Sequence, residues 1–266
     1  MEAMTSAYSS HLTCDQWDLL FPLLPGPKAT GRPRTVDLYA VVNAILYVLT
    51  TGCAWSLLPK DFPPYSTVYY YFRQWKNDGT WKRVHDPLVE WVRVAEDRCP
   101  TPSAGALDSQ SVPSAVMVSQ SVGYDGGKTI KGRKRFTLVD TMGLLISVKV
   151  VAASVPEREG AKQLLQTVQD ERERLPRLGL IWVDGGFSGK HFFKTVIDWL
   201  AIVLEVVLRP KTAKGFVLLP RRWVVERTYG WLHWCRRLNV DYERLPESSE
   251  AFIHIAMIRI MLRRLA

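Results

Sequence analysis

Apolar residues in the first hundred positions recur at helical spacing. Leu38, Val42, Ile45 and Leu49 fall four, three and four residues apart, so the stretch after Thr35 is predicted to be a helix with one buried face, stopped at Gly52. Asp61-Phe62-Pro63-Pro64-Tyr65 interrupts that pattern. Ser66 or Thr67 can cap a second helix through Lys76 that buries Val68, Phe72 and Trp75 and turns Tyr69, Tyr70, Arg73 and Asn77 the other way. Trp81, Val84, Leu88, Trp91 and Ala95 carry the period on to Glu96, with Pro87 expected to kink or restart that helix. Ahead of these lie a short apolar start (Trp17, Leu19, Leu20, Phe21), a turn-rich stretch with Pro22, Pro25, Gly26 and Pro27, and a basic arm, Gly31-Arg32-Pro33-Arg34.

The pattern changes after Cys99-Pro100-Thr101-Pro102-Ser103, which reads as a domain boundary. Strand-like runs follow at 106–112, 135–140, 144–151, 180–184 and 202–208. Helical spacing marks Ala161 to Leu175 between the third and fourth runs and Lys190 to Leu200 before the fifth. Three strands followed by alternating helix and strand predict an α/β domain with a mixed sheet opened by a meander, the order of a ribonuclease-H-like fold. The chain closes on a helix over 248–266 with an apolar stripe of Ala251, Ile255, Ile258, Leu262 and Leu265.

Charge separates the two regions. The 266 residues carry 35 Lys and Arg against 26 Asp and Glu, a net +9, and residues 1–100 are balanced, so the whole excess lies in 101–266. Such an excess points to a polyanionic partner. The N-terminus carries Glu2 and no apolar run, and the longest apolar runs are broken by Lys149 and Glu205, so neither a signal peptide nor a membrane span is expected, and DNA or RNA is the expected polyanion. Cys14, Cys53, Cys99 and Cys235 form no CxxC, which argues against a disulfide framework or a zinc site and fits a reducing cytosol. In the first region, two helices joined by a Gly- and Pro-containing turn suit a helix-turn-helix with Tyr70 and Arg73 toward the major groove; a small bundle with a polar outer face fits the same pattern.

Three acids stand apart. Between Arg209 and Arg237 eight Lys or Arg surround Glu226 alone, while Asp108 sits in the first strand-like run and Asp184 ends the fourth. Hard oxygen ligands suit Mg²⁺, and two such ions can serve phosphodiester cleavage. The five histidines show no metal-ligand spacing. If the first and fourth strands are neighbours, the aspartates lie side by side and a crossing helix brings in Glu226. The plainer readings are that Asp184 initiates a turn before Gly185-Gly186, that Asp108 is a solvated strand residue, and that Glu226 pairs with Arg222 one turn earlier. Two basic segments adjoin these acids. One holds Lys128, Lys131, Arg133, Lys134 and Arg135; the other holds Arg221, Arg222 and Arg227 interleaved with Trp223, Tyr229 and Trp231, aromatics that either stack on unpaired bases or belong to the core.

Several strings, in order, resemble one family. Gly31-Arg32-Pro33-Arg34, Gly52-Cys53-Ala54-Trp55-Ser56-Leu57-Leu58-Pro59, Ser66 to Phe72, Gly132-Arg133-Lys134-Arg135, Gly215 to Arg227 and Pro246 to Ala251 are similar to the DDE transposases of bacterial insertion sequences, in the subgroup typified by insertion sequence five. The resemblance covers almost the whole chain. It implies a helical domain at 1–100 that binds terminal inverted repeats and a ribonuclease-H-like catalytic domain at 101–266, with Asp108, Asp184 and Glu226 holding two Mg²⁺ ions, or Mn²⁺ in their place. The separation of 42 positions between Asp184 and Glu226 leaves no space for a large inserted domain.

The implied activity is cleavage at the element's ends and transfer of the 3′-OH into target DNA, by a homodimer on double-stranded DNA in a bacterial cytoplasm, associated with the nucleoid. Arg222, Arg227 and His233 would contact DNA near the acids, and Lys128, Lys131, Arg133, Lys134 and Arg135 its backbone. A structure-specific nuclease and a non-catalytic DNA-binding derivative are the alternatives. The chain departs from the family pattern at Leu219 for a Tyr, His233 for a Lys and Phe136 for a His, in the less basic stretch 114–120, and at Pro87 in a region expected to be one continuous helix.

Overall fold

The computed structural model describes residues 8–27, 34–208 and 221–266. Gly31 to Pro33 of the basic arm, Arg209, Lys211, Lys214 and the string Gly215 to Pro220, which includes Leu219, lie outside the described residues.

Helix α1 (Cys14–Leu20) starts from a capping box in which Thr13 and Gln16 satisfy each other's backbone amides. Helix α2 (Leu38–Thr51) is capped by Asp37 and stops at Gly52, whose φ of 73° is the left-handed conformation that ends a helix without strain. Helix α3 (Tyr65–Asn77) begins one residue before the expected Ser66 or Thr67 cap, because the Pro64 carbonyl accepts the Thr67 and Val68 amides at 2.8 and 3.1 Å. Helix α4 (Thr80–Ala95) runs unbroken through Pro87, so the expected restart does not occur. Val84, Leu88, Val89 and Val92 hold both sides of the proline in the core.

The sheet contains the five expected strands and a short additional one. These are β1 (Ala104–Pro113), β2 (Gly123–Asp125), β3 (Ile130–Asp140), β4 (Leu145–Ala152), β5 (Leu180–Val183) and β6 (Val203–Val206). Strand β3 starts at Ile130 rather than at 135, because β1 keeps pairing with it as far as Pro113 opposite Gly132. Antiparallel β4 and β2 share the outer edge of β3; on its inner side β1 pairs antiparallel with β3 and parallel with β5, which pairs parallel with β6. The neighbourhood expected for the first and fourth strand runs is therefore present as β1 beside β5.

One face of the sheet packs on α5 (Glu157–Asp170) and α6 (Lys190–Leu200) through Leu107, Phe136, Leu138, Leu164 and Val196. The other face, with Ala106, Val139, Val148 and Val150, joins a larger core built by α1 to α4 together with α7 (Trp223–His233) and α8 (Pro246–Leu265). Helix α8 buries more than its predicted stripe: Phe252, Ile253, Ala256, Met257 and Met261 are buried as well, and Phe252 stacks on Phe72 of α3 with ring centroids 4.6 Å apart. Arg93 of α4 pairs with buried Asp140 at the end of β3. Elements on the two sides of the 99–103 boundary thus share one core. No helix among the described residues is long and apolar enough to cross a membrane.

Candidate active site

Strands β1 and β5 set the first two acids. Their register pairs Ala106 with Trp182, and continued by two residues it brings Asp108 level with Asp184. Side chains alternate along a strand, so both carboxylates leave on the face that carries Ala106, the face covered by α7. Each is held in the same way. Asp108 Oδ1 accepts the Ser109 amide at 2.8 Å, and Asp184 Oδ1 accepts the Gly186 amide at 2.8 Å. The second oxygens turn to one nitrogen: Arg222 Nη2 stands 3.7 Å from Asp108 Oδ2 and 3.9 Å from Asp184 Oδ2. The turn-forming role of Asp184 and its place in the cluster therefore coexist, one on each oxygen.

Burial pushes the Asp108 carboxyl up to about 6; the Ser109 amide and Arg222 draw it back, Asp184 pushes it up again and Lys128 lowers it. Lys128 is also positioned here, donating from Nζ to the Ser109 carbonyl at 3.2 Å. The Tyr229 hydroxyl is buried in the same face and held well above its ordinary range, first by burial and then by the Asp108 charge.

Helix α7 is docked by its middle. Thr228 Oγ1 donates to the Gly143 carbonyl at 2.8 Å and Arg227 Nη2 to the Met142 carbonyl at 2.7 Å, both in the β3–β4 turn. Gly143 has φ of 78°, and a Cβ there would come within 2.8 Å of Thr228 Oγ1, so the turn needs glycine for the helix to seat. This docking buries Val225, Thr228 and Tyr229 and leaves Glu226 exposed in the first turn. Glu226 makes no hydrogen bond or ion pair among the described residues, so the pairing with Arg222 does not form. No group of three or more His, Cys, Asp or Glu side chains among the described residues is close enough to hold a metal ion. The aspartate pair fits a divalent cation by its hard oxygen donors and by the single cationic nitrogen already drawn to both free oxygens. Glu226 stands outside that pair.

The other predicted contacts divide by exposure. Tyr70 and Arg73 are exposed on α3, His233 is exposed at the end of α7, and Lys128 and Lys131 face solvent. Arg133, Lys134 and Arg135 are buried, which corrects their assignment to the DNA backbone. The cause is the early start of β3, which draws them into the sheet. Arg133 donates to the carbonyls of Gln120, Glu243 and Arg244 at 2.7 to 2.9 Å and lies 3.3 Å from Asp241. Lys134 reaches Glu157 at 3.2 Å and Asp125 at 3.4 Å on the opposite face. Phe136, at the position where the family pattern suggests His, is fully buried on that opposite face against α5. Trp223 and Trp231 are half-buried and sandwich Arg227, with its guanidinium carbon 4.3 and 4.7 Å from the two rings.

The residue that sequence reasoning placed least well is Arg222, read as a DNA contact or a partner of Glu226. The signal available was its position just before α7, at the helix end that approaches the sheet.

Residues 12–85 match the family described as "Putative transposase of IS4/5 family", and residues 100–261 match the family described as "Transposase DDE domain". Two relatives come from Burkholderia cepacia. The "Insertion element IS402 uncharacterized 16.2 kDa protein" is 34% identical over 113 residues, covering 40% of this chain and 75% of that protein. The "Putative transposase for insertion sequence element IS402" is 27% identical over 128 residues, covering 47% of this chain and 60% of that protein. No solved structure matches. With one domain match spanning more than half of the chain and the other its N-terminal helices, the chain belongs to the DDE transposases of the IS4/5 type.

Proposed function

We propose that this transposase cleaves DNA at the ends of an insertion sequence and transfers the resulting 3′-OH into target DNA, with Asp108, Asp184 and Glu226 as its catalytic acids. The observation that carries the reading is the level placement of Asp108 and Asp184 on adjacent parallel strands, with their free oxygens directed at one cationic nitrogen. The sheet order, with antiparallel β4, β3 and β1 followed by parallel β5 and β6, supports a ribonuclease-H-like catalytic domain over 101–266.

Asp108 and Asp184 would hold the divalent ions, Mg²⁺ or Mn²⁺, and Glu226 would add the third carboxylate. Bound there, such ions activate the attacking water or hydroxyl and stabilise charge on the phosphoryl group and leaving oxygen. The chain's own residues do the rest. Backbone amides of Ser109 and Gly186 fix one oxygen of each aspartate and so aim the other. Arg222 offsets their mutual repulsion while no substrate is present. The docking of α7 on the β3–β4 turn fixes where Glu226 emerges.

Helices α2 and α3, in the region 1–100, would read the terminal inverted repeats through the exposed side of α3, including Tyr70 and Arg73. Arg227 and His233 with exposed Lys128 and Lys131 are the phosphate contacts this reading retains. Two element ends must be brought together, so the active form is read as a homodimer on double-stranded DNA, in the cytoplasm and at the nucleoid. The test is cleavage and joining of labelled terminal-repeat DNA with Mg²⁺ or Mn²⁺, compared with Asp108→Asn and Glu226→Gln. Each substitution is expected to lower the rate by about three orders of magnitude and to leave DNA binding in place.

A further inference from the structure

Between the C-terminal parts of α7 and α8 lies a groove of about 380 Å³, lined by Trp231, Trp234, Arg259, Arg263 and Arg264 among others, with no acidic residue among the described residues of its wall. Arg259 and Arg263 are one helical turn apart, a spacing at which like charges repel. The Arg259 guanidinium is held below its ordinary range first by burial and then by Arg263, and Arg227 first by burial and then by Arg264. Arg263 and Arg264 are exposed and form no ion pair among the described residues. Cations crowded on one surface without carboxylates are arranged for an external anion.

The aromatic residues narrow the choice of anion. Arg264 lies over the Trp231 ring at 4.7 Å, and Arg227 lies between Trp231 and Trp223, so those two rings already carry cations. Trp234 carries none among the described residues and is 83% exposed. A flat apolar ring open to solvent beside Arg263 and Arg264, which pair with no carboxylate among the described residues, matches an unpaired nucleotide, whose base stacks on the indole while its phosphates meet the guanidinium groups; Arg259 is already held by Thr50 and the Ser9 carbonyl. A duplex, with its bases already stacked on each other, would use only the arginines.

We propose that this groove seats an unpaired stretch of DNA strand, with Trp234 as the stacking platform and Arg263 and Arg264 on the adjoining phosphates. Trp234 follows Glu226 by eight residues along α7, about 12 Å at the helical rise, so a single strand passing the acids can reach it. The inference rests on DNA being the substrate.

The test uses the full chain in metal-free buffer, so that no cleavage is required. Fluorescence anisotropy is read with a labelled oligothymidine and with a duplex of equal length, and 2-aminopurine within the single strand reports stacking. Trp234→Ala is expected to weaken single-strand binding about tenfold or more, to abolish the 2-aminopurine quench, and to leave duplex affinity within about twofold. Trp234→Phe should retain most of the binding. Arg263→Gln with Arg264→Gln should weaken both DNAs and flatten the salt dependence by about one to two ions. Equal losses on the two DNAs in Trp234→Ala, or none, would overturn the proposal while leaving the carboxylate site standing. A change of oligomeric state in Trp234→Ala by light scattering would overturn it in favour of a contact between copies. Failure of the unsubstituted chain to bind either DNA would overturn both this inference and the substrate reading beneath it.

Discussion

Asp108 and Asp184 stand level on adjacent parallel strands, each with one oxygen tied to a backbone amide and the other turned to the same Arg222 nitrogen, at 3.7 and 3.9 Å. Arg222 is thus the counter-charge of the pair. In Arg222→Gln the two carboxylates keep only Lys128 and the Ser109 and Gly186 amides to offset them, and a divalent cation should become their main source of stabilisation. Thermal unfolding with and without Mn²⁺ is expected to show a larger metal-induced rise of the midpoint, by a few degrees, in Arg222→Gln than in the unsubstituted chain. An equal rise in both would mean that Arg222 does not balance these acids.

Two residues of one basic segment should behave oppositely. Arg133 is fully buried among Asp241 and three backbone carbonyls, whereas Lys131 faces solvent two residues earlier. Arg133→Gln is expected to cost about 3–5 kcal/mol in urea unfolding, because it leaves Asp241 without its charge partner. Lys131→Gln should change stability by less than about 0.5 kcal/mol and reduce the salt dependence of DNA binding by about one ion. A stable Arg133→Gln with weakened DNA binding would reverse the assignment.

Acid should loosen the contact of α4 with α8. Buried His85 and half-buried His254 meet edge to face with ring centroids 5.1 Å apart, and desolvation, followed by the charges of His85 and Lys82, holds His254 down to about 3. The folded state therefore keeps the ring neutral, and as pH falls below 6.5 the unfolded chain takes up the proton first. This contribution is complete above 6.5 and is lost progressively toward 3, amounting to about 2 kcal/mol at pH 5. Unfolding curves across this range should lose part of their pH dependence in His254→Leu; an unchanged slope would place the titration elsewhere.

Phe136 should resist the residue that the family pattern suggests. It is fully buried, and a Cβ on Gly160 would come within 2.0 Å of its ring, so the pair forms one close contact between β3 and α5. Phe136→His places a polar ring in that contact and is expected to cost about 2–4 kcal/mol without raising activity. A variant with higher activity and unchanged stability would contradict this.

Much of this arrangement was legible in the sequence because local rules and packing agree there. The Leu38 to Leu49 spacing, the stop at Gly52, the strand run that carries Asp108 and the one that ends just before Asp184 all appear where periodicity puts them. The start of β3 did not, since a run of lysine and arginine looks solvated until one knows that Asp241, Glu157 and the carbonyls of 243 and 244 meet it from more than twenty residues away. The shared core of α8 with α3 was hidden for the same reason: Phe72 and Phe252 are neighbours only in space. Pro87 was read from its own chemistry, whereas the packing around it keeps α4 continuous. Sequence alone suggests DNA or Glu226 as the partner of Arg222, because the two aspartates beside it lie on strands far away in the chain.

The most direct test of the central claim is a single assay of purified protein on labelled terminal-repeat DNA with Mg²⁺ or Mn²⁺, run beside Asp184→Asn. Metal-dependent nicking at the repeat end and joining to target DNA are expected, both reduced about a thousandfold in Asp184→Asn while binding persists. Specific binding without cleavage in either metal, or cleavage that survives Asp184→Asn, would contradict it.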